Sequence, residues 1–548
     1  MKRMKRLAAL ALALCLCLLA GCGQTEIKDT LSVCVGERHQ TLDPIYAEEA
    51  ADQTILAHLY ENLMHLESDG RLSYGMAKSV DEELNADGTV TYTFHLRRAK
   101  WSDGRAVQAQ DFVYAWQRLV NPSSQSPYAP LLSVVVGYDE ARAQNDMSLL
   151  QVTAQSSDTL VVVLDGQRDW FLEEVCTSPA TMPLRQDVVQ RLKTAADEKG
   201  GNARWWSDAT ALVTNGAYIA SSADKNGLHL TLNENYYETG EVTVKELTFR
   251  YAATAEKALA LYEEGTVDVV SPLPTEVLAQ RAAEEDWTPE PILETYAVLF
   301  NFDFFQDVNV RKAMSMVIHR QKIASLADVT ARAATALVPP GVPGVDTEFR
   351  TQGGELLDLS EEGYSQRCEE AEYLMEAAGH DNGRHMGTLE YLYVDEGSNG
   401  QVAEAVCRMW KETLNVTVTP RGVTEQELWA ALRSGGYTLA GANLSAVCND
   451  AECFLMKWTS DSPDNVLGYS NTAYDTLMAI IAGAEDGTAR MGCLHDAEDL
   501  LITWDCAMAP LYTKGTDWQV RETLTGAYRN PRGWFCFHHV TMQPEDGK

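Results

Sequence analysis

Between Tyr92 and Tyr128 the apolar positions change period twice, and the change predicts a complete structural unit. Tyr92, Phe94 and Leu96 alternate with polar residues, the period of a strand with one buried face. Ser102-Asp103-Gly104 supplies turn residues straight after Trp101. Phe112, Ala115, Trp116 and Leu119 then recur at the i, i+3, i+4, i+7 spacing of one helical face. Asp111 stands where a negative charge suits a helix N-terminus, and Asn121-Pro122 ends the run. Elsewhere the pattern reads Leu31 to Val35 as a first strand and Thr41-Leu42-Asp43-Pro44 as a turn. It also reads a helix with Ile55, Leu59 and Leu63 on one side, and a strand from Leu228 to Leu232. Such alternation of strands and helices predicts an α/β protein.

The N-terminus departs from this pattern. Lys2, Arg3, Lys5 and Arg6 precede an apolar run from Leu7 to Ala20, which has the shape of a signal peptide rather than a stable span. The run closes on Leu19-Ala20-Gly21-Cys22, which resembles the bacterial lipobox, and this resemblance implies a diacylglyceryl group on the Cys22 thiol and cleavage just before it. The expectation is an extracytoplasmic chain, at the cell surface or in a periplasm, anchored by lipid at Cys22 and otherwise soluble. A length of 548 residues allows two or three domains.

Net charge is −35, so nucleic acid is not an expected partner, because phosphate binding needs a cationic surface. Of twelve cysteines, nine lie beyond Cys22, too many to pair completely, and mostly free thiols are expected. Cys448 and Cys453 are the closest pair, and a loop disulfide or no bond both fit their spacing better than zinc does. No G-x-S-x-G, H-E-x-x-H, P-loop or dinucleotide fingerprint occurs. His538-His539 lacks further ligands at metal-site spacing and reads as structure. No metal, cofactor or enzymatic activity is expected.

Several segments, in order along the chain, resemble the extracytoplasmic solute-binding proteins of peptide ABC transporters (family 5). They are Leu42-Asp43-Pro44, Tyr60-Glu61-Asn62-Leu63, Gly75 to Val80 and the Tyr92–Tyr128 unit, followed by Asn215-Gly216-Ala217-Tyr218 and the run from Tyr262 through Gly265 to Asp268. Asp307 to Met314, Pro339-Pro340-Gly341, Ala371 to Gly379, Tyr474-Asp475 and Ala509-Pro510-Leu511-Tyr512 continue the series. Where the family usually continues with an acidic residue before arginine, this chain has His319-Arg320, read as scaffold.

The resemblance implies a two-lobe periplasmic-binding-protein-like fold of class II, in the large three-domain form, with a hinge and an interlobe cleft. The implied division is a signal peptide over 1–21, a tether over 22–29, and lobe I over 30–74, 183–296 and 509–548. An inserted domain II covers 75–182 and lobe III covers 297–508. The implied function is a monomeric, lipid-anchored receptor that captures peptides by hinge closure and delivers them to the permease of an ABC importer. A non-peptide solute, or an extracellular sensing or chaperone-like role, is the alternative.

Within that resemblance Tyr128, in Ser126-Pro127-Tyr128, is implied to approach the ligand from the inserted domain, while Trp205, Trp206 and Trp458 are candidates to reach the cleft. The family usually holds a peptide ammonium with a buried aspartate before the run that ends here in Phe454-Leu455. In this chain Val447 stands at that place, Leu444 replaces a tryptophan, Ala451 a proline and Gly441 an arginine, and the aromatic run after Leu511 shrinks to Tyr512. Three readings stay open. Asp450 or Glu452 takes over the ammonium, the ligand lacks a free amine, or the protein binds no peptide. Arg433, Asn449, Asp450, Tyr128 and Tyr512 are the candidate ligand contacts.

Overall fold

The computed structural model describes residues 29–542 except 68–70, 169, 200–203, 285–286, 447, 485–486 and 531. The expected signal peptide, Cys22, the tether up to 28 and Val447 therefore lie outside the described residues.

A six-stranded sheet forms the first lobe. Thr30–Cys34 lies at its centre, parallel to Glu246–Arg250 on one side and Val269–Val270 on the other. Gly227–Leu232, Tyr218–Ala223 and Gln519–Val520 complete it in antiparallel pairs. The motifs around it interlock. Asn215 accepts a hydrogen bond from the Glu61 N–H at 3.1 Å and donates to the Glu61 carbonyl at 3.0 Å. Gly216 packs directly on the Leu59 carbonyl, where a Cβ would collide, so only glycine fits. Arg118 holds the Asp43 carboxylate with two nitrogens, at 2.7 and 2.5 Å, and Trp205 Nε1 donates to the same carboxylate at 2.7 Å.

The inserted unit is a four-stranded antiparallel sheet, Ala77–Leu84, Val90–Leu96, Thr159–Leu164 and Val152–Ser156 in spatial order. Val90, Tyr92, Phe94 and Leu96 are buried, as their alternation requires. The helix Ala109–Val120 packs on this sheet through Phe112, Ala115, Trp116 and Leu119. It starts with a capping box between Gln108 and Asp111, and Asn121 caps its end. Trp101 and Trp116 are core, their indole N–H groups donating to Asp111 and the Thr181 carbonyl. One continuous apolar core joins this sheet to the first lobe.

The other lobe is built on a second six-stranded sheet, ordered Arg332–Ala333, Met508–Thr516, Glu290–Phe300, Leu439–Ser445, Leu389–Val394, Val418–Val423. Apolar clusters cover both its faces. The boundaries implied for lobe III at 297 and 508 cut into this sheet: Glu290–Phe300 and Met508–Thr516 are strands of it, so residues 290–296 and 509–516, implied for lobe I, pair within the second lobe instead. The chain crosses between lobes along these strands, side by side. Glu290 pairs with Thr516 and Pro291 with Gly515, and the register shifts before Thr295, the irregular stretch expected of a hinge. His319 is scaffold, buried with its Nε2 3.0 Å from Glu361.

Candidate functional site

Between the lobes lies a cavity of about 540 Å³. The first lobe supplies Glu48, Gln53 and the segment around Arg529, Arg532 and Trp534; the inserted unit supplies Tyr128 and Pro130. The second lobe supplies Glu294, Trp429, Arg433, Asn449, Lys457 and Trp458. The wall therefore sets the rings of Tyr128, Trp429, Trp458 and Trp534 among seven charged side chains, Asp464 with the six just named, a composition suited to holding an amphipathic solute.

Tyr128 is fixed from the first lobe, its hydroxyl donating to the Ala47 carbonyl and accepting from Gln53 Nε2, both at 3.0 Å. Burial pushes its phenol up to about 12. Arg433 sits in the last turn of the helix Glu425–Ser434, which opens with a Thr424–Glu427 capping box and ends at Gly435 with φ 69°. It is exposed and makes no hydrogen bond or ion pair with another described residue. Asn449 is anchored through its backbone N–H to Glu174 at 2.7 Å and through Nδ2 to the Gly341 carbonyl at 3.4 Å.

Asp450 and Tyr512, expected at the ligand, are not part of the lining. Asp450 caps the helix Ala451–Leu455, and Arg490 takes its oxygens at 3.2 and 2.7 Å. Glu452 is also spent: Arg490 lies at 2.8 Å and Trp170 Nε1 at 3.0 Å. Tyr512 is stacked on Tyr296 inside the second lobe, ring centroids 4.9 Å apart. The arginine implied at position 441 has no room either, because a Cβ on Gly441 would overlap the hydroxyls of Tyr296 and Tyr391.

The residues that sequence patterns did not mark are Glu294, Trp429, Lys457 and the segment Arg529, Arg532 and Trp534. That segment reaches the cleft because Phe535 N–H bonds Thr54 Oγ1 at 3.0 Å and Phe537 N–H bonds His58 Nε2 at 3.1 Å, contacts across most of the chain. No local period could have shown them. Arg529 pairs with Glu290 and Arg532 with Glu174, each at 3.0 Å. Burial holds the Lys457 ammonium down to about 8. The Glu294 carboxyl is raised by burial, with Lys514 opposing and Glu425 reinforcing the shift, and Glu48 is raised by burial and by Glu425. Glu173 is pushed up to about 7 by burial and then by Glu174.

A disulfide joins Cys448 to Cys453, while the other seven described cysteines are free thiols. The bridged loop belongs to the second lobe, yet Cys448 and Cys453 pack into the core of the first. Together with Trp170–Glu452 and Asn449–Glu174, this loop holds the lobes together beside the cavity.

Two α/β lobes joined by two crossing strands, with a cavity between them, are the architecture of a solute-binding receptor. The description "Bacterial extracellular solute-binding proteins, family 5 Middle" matches residues 71–466, and the chain belongs to that family. It is a binding protein, not an enzyme. It is 30% identical over 498 residues to the periplasmic oligopeptide-binding protein OppA of Escherichia coli K12, covering 88% of this chain and 87% of the relative. The probable deoxycholate-binding periplasmic protein YgiS of the same organism is 28% identical, covering 86% and 85%. Among solved structures, Haemophilus influenzae OppA in complex with RPPGFSPFR superposes with a TM-score of 0.74 at 27% identity, over 94% of this chain and 99% of that one. Members of the family are extracytoplasmic, and among the described residues no helix is long and apolar enough to cross a membrane.

Proposed function

We propose that the protein is a lipid-anchored receptor of an ABC importer, which captures peptides in the interlobe cleft and hands them to the permease. The observation that carries this reading is the cavity itself. It lies between both lobes and is lined by aromatic and aliphatic side chains together with charged and polar ones, so it offers apolar surface to side chains and polar groups to a backbone. The kinship with OppA supports peptide as the solute. Tyr128, Arg433, Asn449 and Trp458 are the proposed contacts among the residues marked by sequence, joined by Trp429, Lys457 and Trp534. Arg433 is free to meet a ligand carboxylate at the mouth.

A second reading is an amphipathic non-peptide solute, favoured by the tryptophan-lined wall and by the YgiS relative. A thermal-shift screen separates the two, because a ligand that binds only the folded form raises the melting temperature. Peptide pools are expected to raise it and bile acids to leave it unchanged. The reverse result replaces the first reading with the second. Lipid anchoring is tested by Cys22→Ser, which is expected to release the protein from membranes into the soluble fraction.

A further inference from the structure

Buried hydrogen-bonding groups are nearly always paired in folded proteins, because an unpaired one has exchanged water for nothing. The interlobe cavity departs from that rule twice. Asn449 is 5% exposed and Trp458 3% exposed, and both line the cavity. Neither Asn449 Oδ1 nor Trp458 Nε1 has a hydrogen-bond partner among the described residues. Both side chains are held: Asn449 through Glu174 and Gly341, Trp458 within the apolar cluster that contains Phe454 and Leu467. The bond from Nδ2 to Gly341 leaves the oxygen as the free end of the asparagine amide.

The two groups are opposite in sense, one an acceptor and the other a donor. An amide offers one N–H and one C=O and complements such a pair, whereas an ammonium offers only donors and a carboxylate only acceptors. The charges nearby agree. Asp450 and Glu452 are held by Arg490 and Glu174 by Arg532, and none of these three carboxylates lines the cavity. Next to Trp458 this wall carries the cation Lys457, and the carboxylates that do line the cavity, Glu48, Glu294 and Asp464, stand on other segments. An ammonium at Asn449 would lose its water without gaining a free anion on that loop.

We propose that Asn449 and Trp458 form a neutral acceptor and donor pair that reads an uncharged amide of the ligand. The cleft then accepts a peptide's amino terminus at this wall as an acyl amide rather than as an ammonium. This rests on the peptide reading above and names the form of peptide.

Calorimetry on the purified protein with a pool of pentapeptides and with the same pool N-acetylated tests it. Wild type is expected to bind the acetylated pool about fivefold more tightly, a difference typical of one hydrogen bond made rather than left open. Asn449→Asp, which restores an anion, should invert that order. Trp458→Phe keeps a ring and removes the N–H, and should weaken the acetylated pool about tenfold. Because it breaks no bond within the protein, it keeps the test readable if Asn449→Asp fails to fold beside Glu174. Equal or tighter binding of the free-amine pool by wild type overturns the proposal, as does Trp458→Phe that leaves both affinities unchanged. If neither pool binds the folded wild type, the peptide reading has failed and the amide pair falls with it.

Discussion

The helix Ala109–Val120 and the stretch 444–458 both pack against a neighbouring lobe and both bury a tryptophan, yet they treat its polar atom in opposite ways. Trp116 Nε1 donates to the Thr181 carbonyl at 2.8 Å, and Trp101 Nε1 donates to Asp111 at 3.0 Å. Trp458 Nε1 donates to nothing described, and neither does any described group donate to Asn449 Oδ1. In the first region every level of organisation agrees: alternation, capping and hydrogen bonding. In the second the carboxylates are committed to arginines and the neutral groups are left facing a cavity. Other buried polar atoms are also unpaired among the described residues, but Asn449 Oδ1 and Trp458 Nε1 are the ones whose residues line the cavity, where a ligand can complete them.

The largest expected effect lies at the arginine that holds the second region in shape. Arg490→Met leaves Asp450 buried without a cation, and Glu452 with Arg168 alone at 3.8 Å, and should cost about 3–5 kcal/mol in urea unfolding. A cost near zero would mean that both carboxylates reach water. Next, replacing Cys448 and Cys453 by Ala removes a short covalent loop, and roughly 2 kcal/mol of stability should go with it. The reduced wild-type protein should unfold at the same denaturant concentration as the double variant.

The tryptophans allow a sharper contrast. Trp116→Phe and Trp458→Phe delete the same atoms, but only the first leaves a buried carbonyl unpaired. Trp116→Phe should therefore be less stable than Trp458→Phe by about 1–2 kcal/mol, with ligand affinity reduced only in the latter. Equal stabilities would remove the distinction between the two regions.

The smallest effect is that of pH. The folded-state pKa of Glu173, about 7, lies above its ordinary value of 4.5, mainly through burial and then through Glu174. The folded protein thus holds more protons than the unfolded chain between those values, and stability falls as pH rises from 4.5 to 7. Glu173→Gln should be more stable than wild type at pH 7.5 by about 1 kcal/mol, with the gain vanishing below pH 4.5. Parallel urea curves at both pH values check this.

The order of the motifs, the strand at Tyr92, the helix at Phe112 and its caps were legible because they depend on periods of two and 3.6 and on residues a few positions apart. So was the family, since its motifs interlock with one another, as Asp43 does with Arg118 and Asn215 with Glu61. Tyr128, Arg433 and Asn449 were marked and line the cavity, whereas Asp450 and Tyr512 were marked and do not.

What the amino-acid sequence determined by itself is an exported-type α/β chain of the family 5 scaffold, because local period, turn chemistry and motif order are short-range properties. Tertiary structure alone decided which polar groups face the solute. Arg490 captures Asp450 from 40 positions away, Tyr296 and Tyr391 fill the space above Gly441, and the segment at Trp534 reaches the cleft from the far end of the chain. Whether a buried charge is free for a ligand depends on its partner, and partners are set by packing rather than by neighbours in sequence.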